Sequence, residues 1–484
     1  MVKYIWLFAR LFVSLQHEII KLIIMKKLAI IVTCLLLVGA AVWYFMMRRD
    51  GDAARDVLPK DASAAMVFEP SELVSELGIN LKDILKVASI WGDAEGTVDF
   101  SKPIYGFTIE DGVSGFSLNV DDSEKLLKLL TSFGLESEEK DGFWWVANKS
   151  YIACLDKDKL LVMTASTPQQ DALRGEMTEL MTQSRQDVPA LEKAQKKEGI
   201  VRASTAMSNI PKQYAMSLPD DIDLSKAILN YALRIEKKAL VYAAELESAD
   251  NLSIPLAPIK GDLTSTGGEE PFAWLCVNMK GEELLPYLRK VDMLRSALLA
   301  LNMCVDADMM IKAIDGDVML AMPKLDISQT LPGIVFTATL RNTDFLKNAD
   351  NWEQVGKLSA NDFVMKQDGM DIFFGVRDSK LYISNSKELA SKACQETNAA
   401  DFQEAAKGKY LSASLNLKQL FEAVAKRPSP TSIMLNMPQI REAVGALDRI
   451  SLNANSQQSF ELSVETNKPV KDIYKNLIGI LTGK

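Results

Sequence analysis

Histidine is almost missing from this chain of 484 residues: its single copy, His17, precedes the longest apolar run. The region beyond that run has no side chain that ordinarily titrates near neutral pH. It lacks the usual general base, proton shuttle and imidazole ligand. Ser-His-Asp and Cys-His catalysis are excluded there, as are zinc and non-haem iron centres built on histidine. GxGxxG, GxxxxGK[ST] and GxSxG are also missing, so nothing points to dinucleotide, P-loop or serine-hydrolase chemistry. No cofactor and no metal ion is expected.

Cysteine is scarce too, with five residues and no CxxC, which leaves a thiol redox role without support. Cys34 lies within the apolar run. Cys154 and Cys276 sit in apolar, strand-like stretches, as small buried hydrophobes do. Cys276 with Cys304 is the best candidate pair for a disulfide in an oxidising compartment. Basic residues are outnumbered. Seven of the 55 Lys and Arg and two of the 64 Asp and Glu precede Gly51, leaving the remainder at a net charge of −14. A surface of that sign opposes phosphate backbones and excludes nucleic acid as a partner.

What is present, first, is one run of twenty uncharged residues from Leu28 to Met47, LAIIVTCLLLVGAAVWYFMM. At about 1.5 Å per residue it spans about 30 Å, the hydrocarbon thickness of a bilayer. Lys26-Lys27 and Arg48-Arg49 flank it, and Trp43 and Tyr44 lie near its far end, where interfacial aromatics are common. We read residues 25–50 as a signal-anchor in the inner membrane, with the large C-terminal region exported to the periplasmic side. A cleaved and secreted form is the alternative, because Val38-Gly39-Ala40 has the small-residue form of a cleavage site. Residues 1–24 are apolar but broken by Arg10, Gln16, His17 and Glu18. We read them as an upstream extension, with translation starting at Met25.

Second, one long pattern occurs twice. Residues 143–166, FWWVANKSYIACLDKDKLLVMTAS, resemble residues 363–386, FVMKQDGMDIFFGVRDSKLYISNS, with Phe143 matched to Phe363 and Ile152 to Ile372. Three further blocks follow in the same order: 63–77 with 271–288, 115–130 with 335–349, and 191–211 with 402–420. A closing strand, 239–248, matches 459–468. Strand-like segments separated by short turns must pair antiparallel, since parallel neighbours need a long crossover. Helical stretches such as Leu126, Leu127, Leu129 and Leu130 carry apolar residues three and four apart. The expected fold class is α+β: two tandem copies of an antiparallel sheet with helices on one face, behind one N-terminal transmembrane helix. The expected domains are 55–250 and 271–484, joined by a Pro-, Gly-, Ser- and Thr-rich linker over 251–270.

Weaker patterns have ordinary readings. Ser384-Asn385-Ser386-Lys387 fits S-x-x-K, but the K-T-G and S-D-N partners of penicillin-recognising enzymes are missing. Asp306, Asp308, Asp315 and Asp317 cluster without calcium-loop spacing. Trp144 and Trp145 are the candidate contact residues for a partner, although large aromatics are more often covered by a helix. The C-terminal KDIYKNLIGILTGK is amphipathic and is expected to pack on the second domain.

The short basic start, the DVLPKDASAAMVFEP opening (56–70) and the duplicated strand–helix halves resemble an uncharacterised domain-of-unknown-function family. Its members are exported cell-envelope proteins of anaerobic Gram-negative bacteria. That resemblance implies export and a two-part domain over most of 55–470, and no functional residues. Two functions follow. The first is a non-catalytic, membrane-anchored binding or assembly protein with an envelope protein or glycan partner. The second is a histidine-free, carboxylate-based hydrolase acting in the cleft between the copies, marked by two acids about 5–10 Å apart.

Overall fold

The computed structural model describes residues 52–78, 96–109, 112–132, 135–209, 226–247, 255–262, 271–290, 292–302, 304–325, 332–352, 355–367, 370–394, 401–426 and 438–482. The apolar run 28–47, His17, Cys34 and most of the 251–270 stretch lie outside these residues. No helix among the described residues is long and apolar enough to cross a membrane. Two compact units emerge. Described residues up to Glu247 and those of 468–482 form the first, and those from Pro255 to Asn467 form the second.

In the first unit α1 (Ala53–Asp56) precedes β1 (Ala64–Phe68) and α2 (Pro70–Leu77). Strands β2 (Ile104–Thr108) and β3 (Ser114–Asn119) lead into α3 (Ser123–Ser132). A four-strand run follows: β4 (Glu136–Lys140), β5 (Phe143–Ala147), β6 (Tyr151–Leu155) and β7 (Lys159–Thr164). Helices α4 (Thr167–Thr182) and α5 (Pro189–Gln195) come next, and β8 (Val201–Ala206), β9 (Ile228–Glu236) and β10 (Ala239–Glu247) close the unit. All pairs are antiparallel, in the order β10-β9-β8-β1-β2-β3-β7-β6-β5-β4.

The second unit starts with β11 (Leu256–Ala257), β12 (Ala273–Lys280), α6 (Gly281–Lys290), α7 (Asp292–Asn302) and α8 (Ala307–Ala313). Then come β13 (Ile314–Met322), β14 (Val335–Leu340), a 3-10 segment (Asp344–Asn351), β15 (Val355–Lys357), β16 (Asp362–Gln367), β17 (Met370–Arg377) and β18 (Lys380–Ser384). It ends with α9 (Lys387–Lys392), α10 (Asp401–Ala406), β19 (Leu411–Asn416), α11 (Leu417–Ala425), α12 (Pro438–Gly445), β20 (Leu447–Ala454) and β21 (Ser459–Thr466). Its order is β21-β20-β19-β12-β13-β14-β18-β17-β16-β15, with β11 added beside β12. Strand for strand, this is the order of the first unit.

Three features differ from the expectations. Helices cover both faces of each sheet, not one. On β6, Ile152 and Cys154 join a core that includes Leu173 and Met177 of α4, while Ala153 and Leu155 join one that includes Leu73 of α2 and Leu126 of α3. On β18, Leu381 and the adjacent Tyr382 likewise belong to separate cores. Successive strand residues point to opposite faces, so unbroken apolar strands such as YIACL signal burial on both.

The repeat register also shifts. Lys159 and Lys380 hold equivalent places opposite β3 and β14. Pairing outward from them sets Ile152 against Phe373, not Ile372, and Val146 against Phe363, not Phe143. The β16–β17 hairpin is two residues longer in each strand than β5–β6, and this displaces the match. Finally, α13 (Val470–Thr482) belongs to the first unit, not the second. Its Val470 and Tyr474 fill the core beside Leu73 and Leu77 of α2, and the Val470 N–H donates to the Lys237 carbonyl.

Candidate functional site

Trp144 and Trp145 occupy opposite faces of β5. Trp145 is only 2% exposed and packs among Leu173 and Met177. Its indole N–H donates to the Lys140 carbonyl at 3.3 Å, and the Arg174 guanidinium lies 5.0 Å from its ring centroid. Arg174 in turn pairs with Glu138 at 2.5 Å. Trp145 is thus core, sealed by a cation. Trp144 is half-buried against the other core. No exposed aromatic pair is formed.

The Cys276–Cys304 disulfide is absent: both cysteines are buried and are not joined to each other. They belong to separate cores, Cys276 with Trp274 and Met319, Cys304 with Val305 and Met310. Adjacent Val318 and Met319 on β13 divide between the same two cores, so the sheet itself lies between the thiols. Burial, with a contribution from the Asp317 charge, pushes the Cys276 thiol up to about 12. Burial first, then Asp156, raises Cys154 to about 12, and burial raises Cys394 to about 11. Thiols held this high are poor nucleophiles at neutral pH.

The acidic cluster disperses into separate structural roles. Asp306 caps α8 by accepting from the Met309 N–H at 3.0 Å. Asp308 pairs with Arg289 and accepts from Asn302 at 3.1 Å. Asp315 is exposed. Asp317 is fully buried and accepts from the backbone N–H groups of Lys260, Gly261 and Asp262 at 2.7–3.1 Å. A cavity of about 10 Å³ beside it, bordered by Trp274, Cys276 and Gln403, has room for about one water molecule. The S-x-x-K stretch is a helix start. Ser384 donates to the Ile334 carbonyl at 2.8 Å, and Ser386 caps α9 through the Leu389 N–H. Among the described residues no group of three or more His, Cys, Asp and Glu comes together as a metal site.

Two polar networks escaped the sequence reading. In the second unit Arg377 donates to the carbonyls of Ala390 at 2.6 Å and Ala393 at 3.1 Å, holding the end of α9. It also stacks 4.3 Å from the Tyr382 ring centroid and pairs with Asp362. Burial alone would raise Asp362, but hydrogen bonds from Tyr382 and Ser359 and the charge of Arg377 outweigh it and lower the carboxyl. In the first unit Asp52 accepts from the Tyr105 hydroxyl and, at 3.0 Å, from the Asn119 amide. Burial, then the Asp52 charge, hold the Tyr105 phenol protonated far above its ordinary range. Glu69 pairs with Arg202 nearby, and burial still raises its carboxyl. The visible signal for the Asp52 network was polar Ser117 and Asn119 alternating with apolar residues in GFSLN.

These features define a mixed α/β protein built on large antiparallel sheets, in which Asp306, Asp317, Ser384 and Ser386 are engaged in holding the fold. The chain belongs to the family described as domain of unknown function (DUF4836), which matches residues 88–472. No curated protein matches it. Among solved structures, crystal form IV of TP0453 is similar at 15% identity over 41% of this chain and 81% of that one, with a TM-score of 0.27. Crystal form I of TP0453 aligns at 15% identity over 43% and 82%, with a TM-score of 0.28. Scores that low define no shared fold.

Proposed function

We propose that this is a non-catalytic cell-envelope protein of a Gram-negative bacterium, anchored by residues 28–47, whose duplicated sheet units serve as a binding or assembly scaffold on the periplasmic side. The observation that supports this reading is the engagement of the candidate side chains singled out by the sequence. Asp306 and Ser386 cap helices, and Asp317 is spent on three backbone N–H groups. Cys154, Cys276 and Cys394 are buried with raised pKa values. Catalysis needs a group free to meet substrate in a suitable protonation state, and these groups are committed to the fold. The identical strand order of the units, with the five matched sequence blocks, supports an internal duplication.

The test is crosslinking in intact cells followed by recovery of the tagged full-length protein from membranes, analysed for proteins and glycans. One envelope protein or glycan at stoichiometric yield, rebinding the purified protein, supports the reading. Turnover of a glycan by the purified protein, or recovery with no partner, overturns it.

A further inference from the structure

We propose that the first unit is seated directly on the membrane surface, with residues 48–51 as its whole tether and the sheet end around Asp52 facing the lipid headgroups. The inference rests on the reading of 28–47 as an anchor and adds to it where the folded region must sit.

The fold begins abruptly. The Asp52 carboxylate is held by Tyr105 and Asn119, and its carbonyl accepts from the Arg55 N–H at 3.1 Å. Two residues later the Ala54 N–H donates to Asn119 at 3.2 Å, and the Ala54 carbonyl accepts from Ser117 at 2.7 Å. Ala54 and Val57 are fully buried, and so are the receiving side chains of Ser117, Asn119 and Tyr105. The chain therefore has no slack from residue 52 onward.

Only four residues separate Met47, the last of the uncharged run, from Asp52. At most ~3.6 Å per residue places Asp52 within about 18 Å of the hydrocarbon edge, whatever path residues 48–51 take. The headgroup layer fills about 5–7 Å of that distance. The remainder is less than about 17–20 Å, the length of a typical strand. The bilayer surface thus lies closer to Asp52 than the far end of its own sheet.

Charge does not supply this seating. At this end of the sheet Lys102 pairs with Asp99 and Lys125 with Asp122, and Lys157 lies between Asp156 and Asp158. With Asp52 these carboxylates number five against three lysines, so this end offers anionic lipid no net attraction, and tether length alone fixes the distance.

The experiment places the full-length protein in nanodiscs that carry an acceptor dye on lipid headgroups. A donor is attached through a non-natural residue in place of Lys157, an exposed turn residue. The main-chain carbonyl of its neighbour Asp158 accepts from the Val120 N–H, next to Asn119. A second form carries twelve Gly/Ser residues between Gly51 and Asp52, outside the fold. A flexible segment of that length adds about 20 Å of mean reach, and transfer is expected to fall about twofold or more. Transfer should be no higher in phosphatidylglycerol-containing discs than in zwitterionic ones. Equal transfer in the short and lengthened forms, high or low, overturns the seating, as does a rise with anionic lipid. Alkaline extraction of native membranes reads the anchor separately: release of the protein overturns the anchor and the seating with it, whereas retention with equal transfer overturns the seating alone.

Discussion

At position 317 a carboxylate with no exposed surface holds a chain segment of the second unit that follows β11. Its oxygens accept from three successive N–H groups, Lys260, Gly261 and Asp262. A neutral side chain without an acceptor would strand those donors, and each buried, unsatisfied polar group costs about 1–3 kcal/mol. Asp317→Ala is therefore expected to destabilise the protein by about 2–5 kcal/mol, read as a lowered urea midpoint. Asp317→Asn, which keeps one acceptor oxygen, should fall between the two. An unchanged midpoint for Asp317→Ala would mean that water replaces the carboxylate without loss.

Asp362 makes a different residue-scale claim, about pH. Its carboxyl is lowered from 3.8, because hydrogen bonds from Tyr382 and Ser359 and the Arg377 charge outweigh burial. A carboxylate whose folded pKa lies below its unfolded one contributes stability above the unfolded value. That contribution is lost as pH falls through the folded value. Asp362→Asn should therefore lower the urea midpoint at pH 7 and flatten its decline as pH falls below the ordinary aspartate value of about 3.9. A variant with the same acid limb as the native protein would remove Asp362 from the account.

Among the elements, the strands were the most legible and their surroundings the least. FWWVA, YIACL and KLLVMT read as strands joined by short turns, and they form β5, β6 and β7. Their continuous apolar character also announced cover on both faces, a signal set aside in expecting helices on one. The amphipathic face of α13 was visible in Ile473 and Leu477, but amphipathicity names an apolar face and not the surface that covers it. The same limit applies to Cys276 and Cys304: spacing says nothing about which side of a sheet a thiol takes. The Asp52–Tyr105–Asn119 site needed contacts across more than fifty residues, which no local pattern carries.

Helix contacts give a paired prediction. A Cβ built at Gly281 would lie 1.7 Å from the Ile311 carbonyl oxygen, so α6 and the α8 backbone meet without room for a side chain. At Gly445, in α12, nothing lies within 4 Å of the added atom. Gly281→Ala must push two helices apart, and overpacking of that kind costs about 1–3 kcal/mol or more. Gly445→Ala gains helix propensity instead, about 0.5–1 kcal/mol. Thermal melts should show midpoints moving in opposite directions. A loss at both positions would mean that backbone freedom, not contact, governs them.

For the whole molecule, chain order and unit membership disagree at the C-terminus. Helix α13 is the last described element, yet its Val470 and Tyr474 complete a core of the first unit. During synthesis the first unit must wait for the entire second one before that core can close. A fragment spanning 52–249 should therefore fold incompletely, exposing Leu73 and Leu77, whereas 250–467 carries both of its own cores. A synthetic peptide of residues 468–484 is expected to bind the first fragment and raise its melting midpoint, with no effect on the second. The Tyr474→Ala peptide should bind at least tenfold more weakly, because removing a buried aromatic costs about 2–4 kcal/mol. A fragment 52–249 that melts unchanged with and without the peptide would show that α13 only decorates the first unit. Stabilisation by the native peptide alone would make the C-terminus the element that finishes the N-terminal half.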